Sequence, residues 1–334
     1  MPVVVMKATE GFADRLQVLS HCIRYCKDHN AYLCVDWSDG IWGNGEFNFQ
    51  DVFELKGIKT MTKDAVLVLA KQPGVKINPP CWTAEKIWRP VDSITGGDDY
   101  IGPFMSKANP LPKCEGDILV TNGQGDRGWW TMDIGEHISL RPHVSEQVKA
   151  LLKDFNPNSV AVHLRVTDRP DETFTDHAIT TISQFPEECP VYVVSDAPSM
   201  WKQFKEAVPR SQLVNPNGSV FKLPETSEWG THQTIPPLMK KYGVKKWDLM
   251  VELLADFVAL WSAQWAVGKT KSYYFRLARE LAKLPQSAMK RFLGWTPWEK
   301  VVVVNNETFF LSNRVKEEAS EAVGAFVPCP RGIC

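Results

Sequence analysis

The 334-residue sequence predicts an α/β protein built as two domains that face each other across a cleft. Three observations predict it. Strand-length runs of β-branched residues alternate with helical periodicity at the N-terminus and again from about residue 140 onward. The chain is too long for one ordinary core and comfortable for two of medium size. The stretch from Trp37 to about Trp130, crowded with Gly, Pro and Trp and poor in long periodic segments, parts the two ordered regions. The boundary is expected near 138–145, dividing the chain into an N-terminal α/β domain (1–140), a C-terminal α/β domain (141–300) and a last strand with a tail (301–334).

Val3–Met6 is an apolar run suited to a buried strand, and Thr9-Glu10-Gly11-Phe12 follows as a loop. Leu16, Leu19, Ile23 and Cys26 recur at helical spacing, so Asp14–Lys27 reads as an amphipathic helix with Asp14 at its N-cap or in its first turn. Ala31–Val35 is strand-like and completes a strand–helix–strand unit. In the irregular stretch, Val66–Leu69 and Ile118–Val120 read as strands, set among loops suited to shaping an acceptor cleft. Order returns with a helix over Val144–Leu152 and strands over Val160–Leu164 and Val191–Val194. A helix over Pro198–Ala207 has Ser195, Asp196 or Ser199 as candidate caps. Trp247–Trp261 is a long apolar helix, Trp265–Val267 a short strand, Tyr274–Lys283 a helix and Val301–Val304 a last strand.

The formal net charge of −1 gives no global attraction to nucleic acid or to an anionic membrane. The N-terminus has no basic and apolar leader pattern, and the most apolar stretch, Leu249–Val267, carries Glu252 and Asp256, so neither a signal peptide nor a membrane anchor is read and a cytoplasmic location is expected. Eight cysteines (Cys22, Cys26, Cys34, Cys81, Cys114, Cys189, Cys329, Cys334) include no second pair at zinc spacing, which favours a reduced chain whose thiols are small core residues.

The segment Ala161-Val162-His163-Leu164-Arg165-Val166-Thr167-Asp168-Arg169 carries the chemistry. An apolar strand ends in His and Arg and enters a polar turn, and ligands of open α/β sheets bind beyond the carboxyl ends of strands. Arg165 there presents a fork of donors suited to phosphate and could stabilise the charge left on a departing diphosphate. The same residues also fit an Arg–Asp ion pair beside a hydrogen-bonded His. The dehydrogenase GxGxxG pattern does not occur, nor does a DxD of the kind metal-dependent transferases use; Gly97-Asp98-Asp99 is an acidic turn.

HxRxTD after an apolar strand resembles the α-1,6-fucosyltransferases, including the core fucosyltransferases of N-glycans and, more distantly, the bacterial nodulation fucosyltransferases. The protein O-fucosyltransferases and α-1,2-fucosyltransferases carry a related HxRxGD, and Thr167 leans towards the α-1,6 branch. The resemblance continues in Val191–Ser199, similar to that family's strand and (T/S)D-x-P-S turn, and in Asp256–Ala278, similar to its acidic helix, strand, Ser-containing loop and Arg-x-Ala helix. Gly11-Phe12-Ala13-Asp14-Arg15-Leu16 resembles its first glycine loop, which opens a helix and offers free amides to a ligand. Together these cover the first strand–helix unit and most of 140–285.

What the resemblance implies is a fold of two facing Rossmann-like domains (GT-B type), with the N-terminal domain on the acceptor side and GDP-fucose held by the C-terminal one. The implied reaction is a single inverting transfer of fucose to a glycan hydroxyl, with no cofactor and no divalent metal. Arg165 would bind the β-phosphate and His163 the nucleotide, with Asp168 orienting Arg165 or Arg169; Arg169 stands where the family has Lys. Asp256 would accept the ring N–H and exocyclic amine of guanine, an edge adenine does not offer, or else only cap or pair locally. Ser272 and Thr270 would donate to phosphate oxygens or serve as ordinary loop caps, and Asp196 and Gly11 would line the donor site. The base that takes the acceptor proton is Glu172 first, one residue short of the family's register, and Glu10 second, beside the glycine loop. Both are open to the plainer role of a solvated carboxylate.

Two further readings stay open: the same fold with another nucleotide-sugar donor, and a non-catalytic glycan- or nucleotide-binding relative. Thirteen tryptophans, six of them (Trp37, Trp42, Trp82, Trp88, Trp129, Trp130) in the irregular stretch, suit both sugar stacking and ordinary packing.

Overall fold

A computed structural model describes residues 2–7, 11–38, 47–80, 82–88, 116–121, 131–164, 172–223, 236–269, 272–295 and 307–311. Val3-Val4-Val5-Met6-Lys7 forms β1 (Val3–Lys7), buried along its whole length, as a continuous β-branched run must be when both faces of a parallel strand are covered. In chain order there follow α1 (Phe12–His29), β2 (Tyr32–Asp36), α2 (Phe49–Val52), β3 (Phe53–Leu55), α3 (Lys63–Ala70), β4 (Ile77–Asn78), β5 (Ile118–Thr121), α4 (Thr131–His137) and β6 (Ile138–Leu140). The sheet order is β2-β1-β5-β4, every pairing parallel, while β3 and β6 form a separate antiparallel pair.

The helix expected after the first strand is α1. Gly11 is its extended N-cap, Asp14 lies in its first turn, and Asn30 closes it in the left-handed conformation at φ 53°. The four periodic residues are buried, but so are Arg15, Gln17, Ser20 and His21, so the helix is enclosed well beyond one stripe. Arg15 is accommodated with its guanidinium 5.4 Å from the Trp37 ring centroid. At the carboxyl ends of β1 and β2, Lys7 and Asp36 form a 2.5 Å ion pair with both side chains at most 3% exposed, and Lys7 also donates to the Ile87 carbonyl. Burial pulls the Lys7 ammonium down, whereas Lys7 and Ser38 hold Asp36 below the usual carboxylate range against its burial.

One expected strand is a helix. Val66–Leu69 lies within α3, whose N-cap Thr62 accepts from the Ala65 amide; Val66 and Ala70, four apart, face the core, while Val68 is 64% exposed. Four apolar residues in a row mimic a strand, but the cap and the i, i+4 burial decide for helix.

The second series runs α5 (Pro142–Leu151), β7 (Val160–Leu164), α6 (Glu172–Ile182), β8 (Val191–Ser195), α7 (Pro198–Ala207), β9 (Ser211–Leu213), a 3₁₀ turn (Ser219–Lys222), α8 (Pro236–Tyr242), α9 (Lys246–Ser262), β10 (Trp265–Lys269), α10 (Tyr273–Leu281), α11 (Gln286–Leu293) and β11 (Glu307–Leu311). Its sheet is all parallel, order β11-β10-β7-β8-β9, with β7 at the centre. Val160, Val162 and Leu164 of β7, Val191 and Val193 of β8, and Phe174, Ala178 and Ile182 of α6 share one core. The N-cap of α7 is Ala197, not one of the polar candidates; Ser195 Oγ instead accepts from the Ala197 amide, and Pro198 opens the helix without needing an amide partner. Val301–Val304 lies outside the described residues; the last described strand is β11.

By contacts the chain forms two units, Met1–Ser145 with Leu284–Thr296, and Glu146–Lys283 with Pro297–Cys334. The division by sequence keeps Leu284–Thr296 with 141–300, whereas α11 packs on α4 and β6 of the first unit. Cys22, Cys26, Cys34 and Cys189 are free and buried; burial pushes the Cys26 and Cys34 thiols up to about 12. None of the described helices is long and apolar enough to cross a membrane.

Candidate nucleotide-binding site

The central strand of the second unit ends in the segment singled out by sequence. His163 is the penultimate residue of β7 and is 5% exposed; in register it pairs with Val194, and Leu164 with Ser195. The chain then enters residues 165–171, so Arg165, Asp168 and Arg169 lie outside the described residues, as do Glu10 and Thr270. Asp196 follows β8 directly, half-buried, at the carboxyl edge of the sheet.

His163 is fixed by aromatic packing. Its ring stacks on Phe275 at 5.9 Å and 5°, and lies 5.5 Å from the ring of Tyr274. Both aromatics belong to the start of α10, capped by Ser272, whose Oγ accepts from the Phe275 amide at 3.4 Å. Gly268 of β10 makes this packing possible: a Cβ there would stand 2.7 Å from three Phe275 ring atoms. Glycine is needed at this point for close approach, not for an unusual φ. Lys269, at the end of β10, is 8% exposed, with its ammonium 4.9 Å from the ring centroid of Phe174 on α6. Glu172 opens that same helix.

Asp256 sits on α9 beside this cluster. Its neighbour Phe257 packs on Tyr274 at 5.4 Å, and the Tyr274 hydroxyl donates to the Leu253 carbonyl at 2.6 Å. Asp256 accepts from Asn215 Nδ2 at 2.8 Å, and Asn215 also donates to the Glu252 carbonyl. The Asn215 side-chain oxygen is buried and accepts no hydrogen bond among the described residues. One turn before Asp256, Glu252 accepts from the Ser219 amide at 2.7 Å and caps the 3₁₀ turn. Burial first, and the Glu252 charge second, push the Asp256 carboxyl well above the usual range, against the opposing Asn215 hydrogen bond. Burial likewise raises Glu252 despite the backbone amides that favour its charge.

The structure therefore links the β7 end that carries His163, α10 capped by Ser272 and α9 that carries Asp256 through the Tyr274 and Phe275 rings. Gly11 belongs to the first unit, as N-cap of α1. Asn215 and Glu252 were missed by sequence reasoning. The turn Asn215-Pro216-Asn217-Gly218 reads only as a turn, and its contact to α9 spans 41 residues. Glu252, four residues before Asp256, was open to detection as a second carboxylate on the same helix face. Chemically, the half-buried Asp256 carboxylate and the unfilled Asn215 oxygen are two neighbouring acceptors in a poorly solvated setting, an arrangement that accepts from adjacent N–H groups.

No protein-family model matches the sequence, and no curated protein matches it. Solved structures do. The fucosyltransferase NodZ from Bradyrhizobium superposes with a TM-score of 0.55 at 18% identity, covering 84% of this chain and 93% of that one. The NodZ α-1,6-fucosyltransferase soaked with GDP-fucose gives 0.53 at 17%, and its form co-crystallised with GDP gives 0.53 at 18%, each covering 84% of this chain and 92% of that one. The fold is thus α/β with Rossmann-like units of GT-B type, like that of the NodZ fucosyltransferase, as the sequence motifs imply.

Proposed function

We propose that the chain is an inverting, metal-independent glycosyltransferase that moves fucose from GDP-fucose to a hydroxyl of a glycan acceptor. The observation that carries the reading is the acceptor pair that Asp256 of α9 makes with Asn215, α9 being the helix whose Phe257 packs on the Tyr274 that flanks His163, in a NodZ-like fold. Guanine offers a ring N–H next to an exocyclic amine, both donors, and this pair supplies only acceptors once Asp256 is ionised. Uracil offers one N–H flanked by carbonyls, and adenine sets an acceptor beside its amine, so each leaves an acceptor facing an acceptor. A mispaired buried polar group costs about 1–3 kcal/mol, enough to select the base.

Arg165 follows His163 by two residues and takes the β-phosphate; Asp168 orients it, and Arg169 adds charge at the same turn. Thr270 and Ser272 donate hydroxyls to phosphate oxygens, next to Lys269, and Asp196 lines the same edge. With these donors no divalent ion is required to neutralise the diphosphate. In the transfer, the acceptor oxygen bonds to the anomeric carbon as the bond from that carbon to the β-phosphate oxygen breaks. The acceptor proton goes to a carboxylate, and the electron pair leaves with GDP. Glu172, at the N-terminus of α6, is the first choice for that base and Glu10, before Gly11, the second.

The test is donor turnover by the full chain in chelator-treated buffer, reading GDP release from GDP-fucose. Glu172→Gln is expected to abolish acceptor-dependent release and Glu10→Gln to spare it. The reverse pattern moves the base to Glu10, and loss of all turnover on chelation ends the metal-independent reading.

A further inference from the structure

The first unit holds a cavity of 460 Å3 at the carboxyl end of β2, where open α/β sheets bind ligands. That volume lies within the roughly 300–1,000 Å3 usual for small-molecule sites. Its wall combines an aromatic ring with paired polar groups. Trp88 lines it, half-buried, with the exposed Lys63 ammonium resting 4.8 Å from its ring centroid. Glu54 accepts from Arg141 Nη1 at 2.7 Å, and Arg141 Nε donates to the Gln50 carbonyl at 2.9 Å. Gln50 in turn donates to the Val35 carbonyl at 2.8 Å, so the pair is tied to the end of β2 through α2.

These contacts fix the polar groups without exhausting them. Glu54 is 32% and Arg141 39% exposed; the second Glu54 oxygen lies 4.0 Å from the Lys56 ammonium, beyond hydrogen-bond distance, so it and part of the guanidinium fork can still take a hydroxyl. The charged groups of the lining balance: Asp36 and Glu54 against Lys63 and Arg141, with Asp36 already held by buried Lys7. The Glu54 carboxylate, fixed beside the guanidinium, repels a phosphate approaching the same fork. A fixed carboxylate beside a fixed guanidinium matches vicinal hydroxyls, each of which donates and accepts. An aromatic ring matches the C–H face of a sugar. Lys63, on an exposed flexible stem, can leave that face when a sugar arrives.

We propose that this cavity is a subsite for one neutral sugar residue of the acceptor, with its ring on Trp88 and two hydroxyls bridging Glu54 and Arg141. The assignment to the acceptor rests on the glycosyltransferase reading; the saccharide site itself does not. The experiment titrates the full chain with chitobiose, cellobiose, N-acetyllactosamine and mannobiose, and with a sulfated disaccharide and inorganic phosphate as anionic probes. Binding is read by saturation-transfer NMR and tryptophan fluorescence, with GDP titrated separately.

At least one neutral disaccharide binds, more tightly than either anion. Trp88→Ala weakens it about tenfold or more, as loss of an aromatic platform predicts, and Trp88→Phe restores most of it. Glu54→Ala weakens it as well, GDP affinity is the same in all variants, and thermal unfolding followed by circular dichroism matches the parent chain, which shows that the first unit folds. The subsite is overturned if no neutral disaccharide binds while GDP does, if the anions bind as tightly, or if binding survives both Trp88→Ala and Glu54→Ala. Failure of GDP to bind a chain that still binds the disaccharide overturns the donor reading and leaves the saccharide site standing.

Discussion

Replacing Asp256 with asparagine separates its role in binding from its role in the fold. An asparagine at 256 still offers an oxygen to Asn215 Nδ2, so the 2.8 Å contact is retained. What disappears is a carboxylate that burial and Glu252 already disfavour. In the free protein this removes a group whose charged form is disfavoured by burial and by the Glu252 charge, so stability holds or rises. A gain of about 1 kcal/mol corresponds to roughly 2–4 °C for a unit of this size. Guanine loses one charge-assisted hydrogen bond and meets an amide donor in place of that acceptor, while its other donor keeps the Asn215 oxygen. That costs about 2–4 kcal/mol, or roughly 30- to 1,000-fold in Kd. Calorimetric titration with GDP and thermal unfolding of the same variant read the two effects. A GDP affinity changed less than about threefold would show that Asp256 does not read the base. A clear drop in Tm would show that the carboxylate is there to hold Asn215.

Three further perturbations follow from the same contacts. Because the folded-state pKa of Asp256 lies above the unfolded value of about 3.9, the folded chain holds the extra proton between the two. The stability this group contributes is full below about 3.9 and is lost as pH rises through the raised value, while GDP affinity rises over the same window. Titrations from about pH 4.5 to about 8 check both slopes, and the asparagine variant should flatten them. Lys7→Met strands the buried Asp36 carboxylate and should cost about 3–5 kcal/mol in chemical unfolding, most of it recovered in Lys7→Met/Asp36→Leu. Gly268→Ala drives a methyl into the Phe275 ring and should cost about 1–3 kcal/mol and disturb His163, visible as a shifted imidazole resonance.

Sequence periodicity located those elements whose burial is uniform along the strand or regular around the helix. β1, β7 and β8 are buried end to end, and α9 buries apolar residues in every turn. It failed where local pattern and tertiary contact disagree. α3 presents six apolar residues in a row, Ala65–Ala70, and only its Thr62 cap marks it as helix. α6, Glu-Thr-Phe-Thr-Asp-His-Ala-Ile-Thr-Thr-Ile, is rich in β-branched residues that lower helix propensity, and it is held by Phe174, Ala178 and Ile182 against the sheet. That His163 falls at a strand end, Ser272 at a helix N-cap and Asp256 on a long helix was legible because each sits at a fixed offset within a motif. Asn215 was not, because its meaning comes from a helix 41 residues away. No local pattern reports that one of its two polar atoms is engaged and the other open.

The central claim is that the second unit reads a guanine diphosphate at the end of β7. Side-by-side calorimetric titration of the full chain with GDP, UDP and ADP tests it most directly, repeated on Arg165→Ala. The account predicts that GDP binds at least about tenfold more tightly than either competitor and that Arg165→Ala weakens it by about tenfold or more. Equal binding of the three diphosphates, preference for UDP or ADP, or GDP binding untouched by Arg165→Ala would contradict it.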